Sequence, residues 1–151
     1  MFGGKQIAKL GGEGTAALST ASTADIYYIA VPFRCKPIRA GFTVITGSTV
    51  SSAVIKFDSI TYTATGSSTR GDGDVGAITI PHASDYGYKC YYDETDYVDA
   101  GTGTWKGSLS EGDMIVVEVE TASTGGDGFP FVIVEVDPEQ PANNSNMIVS
   151  A

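Results

Sequence analysis

An all-β antiparallel sandwich is the fold this sequence predicts, and three observations predict it. Segments of alternating apolar and polar residues recur from Asp25 to Asp137, as in DIYYIAVPF (Asp25 to Phe33), MIVVEVET (Met114 to Thr121) and FPFVIVEVD (Phe129 to Asp137). No window carries a 3.6-residue apolar period, so no helix is expected between them. Hydrophobic residues make up 42% and charged residues only 18% of the 151, with 19 glycines, a composition suited to strands and turns.

The strands follow one another closely. Ile26 to Phe33 is broken by Pro32, which lacks the ladder donor and marks a strand end or an edge. Ile38 to Thr46 puts Phe42 and Val44 on one face, and Val50 to Phe57 does the same with Ala53, Ile55 and Phe57. The turn-like Gly47-Ser48 between them predicts a hairpin. Ile60 to Thr65 alternates Ile60, Tyr62 and Ala64 against threonines, and Ala77 to Pro81 carries Ile78 and Ile80. Tyr86 to Tyr92 reads as an aromatic strand and Trp105 to Leu109 as a short one.

Met114 to Thr121 turns Ile115, Val117 and Val119 inward and Glu118 and Glu120 outward. Phe129 to Val136 repeats the pattern with Val132, Val134 and Val136 against Glu135, and the turn ASTGGDG predicts a second hairpin. Eight or nine short strands at this spacing imply a sandwich or barrel, of which a jelly roll is the first choice. The organisation expected is a flexible or extended N-terminal arm over 1–24, the β-sandwich over 25–137, and a tail over 138–151, with Met147 to Val149 as a terminal strand or docking point. In the first segment, beyond Met1 and alanines, apolar side chains appear only as Phe2, Ile7, Leu10 and Leu18. Extended, it could reach about 80 Å, far enough to lie across a neighbouring subunit.

Charge narrows the choice of partners. Nine basic residues stand against 18 acidic ones, a net of −9, and the basic ones are scattered along the chain. Direct nucleic-acid binding is disfavoured because it needs clustered Lys and Arg to neutralise phosphates, and an anionic membrane surface would repel the chain. No apolar stretch approaches the ~20 residues of a membrane span. The start MFGGKQIAKLGGEG has no apolar run after its early lysine, so synthesis in a cytoplasm without a secretory signal is the expectation. Cys35 and Cys90 are expected as buried free thiols, since two cysteines do not make a disulfide framework here.

Chemistry-bearing residues are sparse. Asp72 and Asp74 in RGDGDVG offer oxygens two residues apart, but the third acidic position and the distal Glu of an EF-hand loop are missing, so a solvated turn is expected. Asp93, Glu94, Asp96 and Asp99 lie beside Tyr91, Tyr92, Tyr97 and Trp105, a composition a sugar-binding face or glycosidase would use. Acidic loops and core aromatics supply the simpler reading of the same residues. His82 is the only histidine, which rules out a histidine metal cluster within one chain, and no nucleophile motif accompanies it. No enzyme, metal or cofactor is expected.

VPFRCKPIRAGFTVITGSTVSSAVIKFDS (Val31 to Ser59) and SLSEGDMIVVEVETASTGGDGFPFVIVEVD (Ser108 to Asp137) resemble the small β-rich decoration, or cement, proteins of tailed bacteriophage heads. The resemblance implies a jelly roll or related sandwich that sits on the outside of an icosahedral shell in the virion, binds the major capsid protein, and stiffens the shell, often as a trimer. It carries no catalytic residues over. Tyr91, Tyr92 and Trp105 are the candidate interface residues, because tyrosine and tryptophan bury large areas while keeping a polar tip satisfied. A carbohydrate- or receptor-binding module of a phage tail or fibre is the alternative.

Overall fold

The structure is a computed structural model that describes residues 5–101 and 103–140, with the backbone alone of 98–100. The strands are β1 (Ile7–Gly11), β2 (Ala16–Ala17), β3 (Asp25–Ala30), β4 (Cys35–Thr46), β5 (Ala53–Tyr62), β6 (Ser68–Arg70), β7 (Gly76–Ile80), β8 (Lys89–Asp93), β9 (Met114–Thr121) and β10 (Asp127–Val136). A short helix, α1 (Glu94–Ala100), separates β8 from β9. One sheet runs β1-β10-β4-β8, with β2 continuing along β10 beyond β1. The other runs β3-β9-β5, and β6 and β7 lie end to end along the far side of β5.

The pairings nest. β1 pairs with β10, β3 with β9, β4 with β8 and β5 with β7, all antiparallel. The chain is therefore one long hairpin rolled up until β10 meets β4 in one sheet and β9 meets β5 in the other. That is the topology of a jelly roll, as expected.

Rolling up overturns both hairpins expected from the turns. β4 and β5 lie in different sheets, and so do β9 and β10. The turns at 47–52 and 122–126 carry the chain across the end of the sandwich, where they bond to each other through Thr49 N–H to the Thr124 carbonyl at 3.0 Å. A second difference concerns the expected strand at Ile60 to Thr65, whose first residues continue β5 without a break. Trp105 to Leu109 contributes only an isolated bridge between Cys35 and Leu109.

The inward residues are those that alternation selects. Ala40, Phe42, Val44, Val132 and Val134 from one sheet meet Ile55, Phe57, Ile78, Ile115 and Val117 from the other in a single core. The described part of the N-terminal segment belongs to this body and is not a separate arm. Ile7–Gly11 is laid along β10, and Leu10, Ala16 and Leu18 are buried. Pro130 of β10 falls between the stretches that β1 and β2 occupy, where that side of the ladder is already interrupted. At the other terminus Asp137 accepts from Arg34 Nε at 2.6 Å and Gln140 bonds the Arg34 backbone, while the expected docking point at Met147 to Val149 lies outside the described residues.

α1 is the helix that periodicity missed. Asp93 stands at its N-cap, and Asp96 three residues on accepts the Asp93 N–H at 2.7 Å, a capping-box arrangement. Glu94 and Asp96 in the first turn also favour the positive end of the helix dipole.

Candidate interaction face

Register brings Phe131, Gly41 and Tyr91 into one row across three strands, since Phe131 lies opposite Gly41 and Gly41 opposite Tyr91. All three face away from the core. Gly41 leaves room that the Phe131 ring fills: a Cβ at 41 would stand 2.2 Å from Phe131 Cζ. Lying over the glycine, the ring meets Tyr91 edge-on at 6.2 Å between centroids and 79° between planes. Cations complete the cluster. Lys9 Nζ sits 5.3 Å from the Phe131 centroid, and the Arg39 guanidinium 4.9 Å from that of Tyr91.

Arg39 is itself fixed by two bonds to the Asp93 carboxylate, at 2.7 and 2.9 Å, which hold the Asp93 pKa below its ordinary value. Phe131 is only 5% exposed although it lies on the outside of a sheet. Tyr91 keeps 47% of its surface in solvent. The face thus holds two aromatic rings in fixed positions, with Lys9 over Phe131 and the Arg39–Asp93 ion pair beside Tyr91.

Tyr92 and Trp105 are spent inside the subunit. Adjacent residues of a strand point to opposite faces, so Tyr92 turns away from Tyr91. Its ring stacks on Trp105 at 6.4 Å and 18°, and Tyr97 of α1 meets Trp105 edge-on at 5.7 Å. Trp105 is 6% exposed, and its indole N–H donates to the Pro37 carbonyl at 2.8 Å. Of the three expected interface residues, Tyr91 alone lies on the outward platform. Phe131, Arg39 and Lys9 were missing from that expectation, because their meeting depends on the pairing of distant strands.

The opposite side of the sandwich is acidic. Arg70 donates to both Asp25 oxygens, at 2.7 and 3.1 Å, and to Asp58 at 3.0 Å. Lys56 pairs with Asp72 and stands 3.7 Å from Glu118 and 3.9 Å from Glu120. The Arg70 bonds lower the Asp25 pKa, whereas burial and the nearby Asp58 charge raise that of Glu118. Asp74 accepts from the Ser59 N–H and hydroxyl at 2.9 and 2.6 Å. The carboxylates of the RGDGDVG turn are thus engaged with the protein's own donors.

Among the described residues no group of three or more His, Cys, Asp or Glu side chains is placed to hold a metal ion. His82 is exposed in the turn after β7, and the side chain of Asp99 lies outside the described set. Cys35 and Cys90 are buried free thiols whose pKa burial pushes up to about 11. Cys90 lies opposite Phe42, so it is displaced along β4 from Cys35 by about 20 Å, too far for a disulfide. Among the described residues no helix is long and apolar enough to cross a membrane. No family model matches this chain, and no curated protein or solved structure matches it either.

Proposed function

We propose that this chain is a structural virion protein, a decoration or cement module that binds the outer surface of a tailed-phage capsid and stabilises it. One observation carries the reading: the outward face of the β1-β10-β4-β8 sheet holds Phe131 and Tyr91 in fixed positions between Lys9 and Arg39. Rigid aromatic and arginine side chains are what protein interfaces concentrate at their centres. The jelly roll and the resemblance of Val31 to Ser59 and Ser108 to Asp137 to capsid decoration proteins support the same assignment. In it the platform is a protein contact surface, the major capsid protein is the partner on the shell, and no residue has a catalytic role. Co-sedimentation with expanded, undecorated capsids tests it: wild-type protein should bind saturably, and Tyr91→Ala should bind at least tenfold more weakly.

A receptor- or carbohydrate-binding module is the second reading, favoured by the solvent-facing Tyr86, which is 79% exposed in the turn leading to β8. Glycan-array binding that is lost in Tyr86→Ala, with no capsid binding, would select it.

A further inference from the structure

We infer that the cleft between the end of β5 and the segment 106–113 binds a neutral saccharide unit, at a site separate from the platform. Its volume is about 510 Å³, within the usual range of a small-molecule site. Thr61 and Tyr62 form one wall, and Lys106, Ser108, Ser110 and Glu111 line the other. None of them belongs to the platform, and β5 lies in the opposite sheet.

The cleft is preformed. Met114 at the start of β9 lies opposite Ile60, so the last two residues of β5 overhang β9 and the chain leading into β9 passes beside them. That chain is pinned along its length: Lys106 N–H donates to the Asp74 carbonyl at 2.9 Å, Leu109 and Cys35 exchange backbone bonds at 2.8 and 3.0 Å, and Gly112 N–H donates to the Val31 carbonyl at 3.0 Å. The turn at 110–113 is closed twice over. Asp113 N–H donates to the Ser110 carbonyl at 3.0 Å, and the Asp113 carboxylate accepts the Ser110 N–H at 2.8 Å. Gly112 supplies the positive φ, 91°, that the third position of this turn adopts. Little ordering is left for a ligand to impose.

The chemistry of the walls selects the ligand. Among the described residues the side chains of Tyr62, Lys106, Ser108, Ser110 and Glu111 have no hydrogen-bond or ion-pair partner, although Lys106 is half-buried and Glu111 and Asp113 line the same cleft. Lys106 can only donate and Glu111 can only accept, while the three hydroxyls do both. Vicinal hydroxyls of a sugar ring satisfy both kinds at once, and its C–H face can lie on the Tyr62 ring, which is 46% exposed. A phosphate, sulfate or carboxylate group would meet the Glu111 and Asp113 carboxylates against one ammonium. An apolar ligand would strip water from these polar groups and replace none of its bonds.

An array of neutral hexose and N-acetylhexosamine oligosaccharides, probed with the full chain, tests this, and the best-bound saccharide is then titrated into isotope-labelled protein and followed by nuclear magnetic resonance. The wild type should bind, with amide shifts centred on residues 61–62 and 106–113. Tyr62→Ala and Glu111→Gln should each bind at least tenfold more weakly. Both sites are exposed, and thermal melting followed by circular dichroism checks that the variants fold. A wild type that binds no neutral saccharide, amide shifts centred elsewhere, or a Tyr62→Ala variant that binds like wild type would each overturn the inference. Tyr86 stands at the other end of β5, about 30 Å away along the strand, because its turn bonds to Ser48 through the Ala83 N–H. Saccharide binding lost in Tyr86→Ala and kept in Tyr62→Ala would therefore overturn the inference in favour of the second reading above. Tyr62→Ala should still co-sediment with capsids, so saccharide binding without capsid binding by the wild type overturns the proposed function and leaves this site standing.

Discussion

The ring of Phe131 occupies the space above Gly41 that a Cβ would need, with Cζ 2.2 Å from the position of that atom. Gly41→Ala must therefore lift the ring away from Tyr91. Overpacking of this kind costs about 1–3 kcal/mol, to be read by urea denaturation, and the same variant should weaken capsid binding. Unchanged stability and binding would mean that the platform does not depend on the ring's position.

Trp105 is placed to stabilise the subunit and not to join subunits. Trp105→Ala removes its stacking on Tyr92, its edge contact with Tyr97 and its bond to Pro37. The expected loss is about 3–5 kcal/mol of folding stability, measured by chemical denaturation at a concentration where the protein is monomeric. A stable subunit with an altered oligomer equilibrium would contradict the packing described.

Removal of residues 1–24 should lower the melting temperature of the isolated protein or unfold it. The deletion strips β1 from β10, leaving the edge of a buried ladder open, and takes Leu10, Ala16 and Leu18 out of the core. A melting curve identical to that of the full chain would return this segment to the status of a detached arm.

Such differences show which features local sequence can carry. Alternation in β9 and β10 is strong enough to place Val117 and Val134 inside without any knowledge of partners. β1 escapes because Lys5, Gln6, Lys9, Gly11 and Gly12 surround Ile7 and Leu10, leaving too few apolar residues for a period to register. α1 escapes because seven residues are shorter than any window that detects a helical period, although Asp93 and Asp96 supply a capping signal in retrospect. The two turns read as hairpins because a turn's residues specify reversal of the chain, not which sheet receives the next strand. The Phe131-Gly41-Tyr91 row is set by register between β10, β4 and β8, whose partners lie far apart in the sequence, so only Tyr91 could be singled out, and only by its residue type.

Acid should separate two carboxylates of opposite sign. Arg70 holds the Asp25 pKa below its ordinary value of 3.8, so its contribution is present above that pH and is lost as pH falls through the lower folded value. Asp25→Asn should cost up to about 1 kcal/mol at neutral pH, with the difference from wild type shrinking below pH 3.8. Glu118 has its pKa raised above 4.5, so its ionised form opposes folding. Glu118→Gln should gain stability at neutral pH, and the gain should fade as pH falls towards 4.5. Urea titrations at several pH values read both, and an Asp25→Asn cost that grows towards acid would contradict the Arg70 pairing.

The claim that the platform attaches a capsid-decorating module is tested most directly by mixing the purified chain with expanded, undecorated phage capsids and pelleting them. The wild type should co-sediment to a saturating stoichiometry and raise the temperature at which the shells break, while Tyr91→Ala, folded by circular dichroism, should remain largely in the supernatant at the same concentration. Failure of the wild type to pellet with any such shell, or equal binding by Tyr91→Ala, would contradict the account.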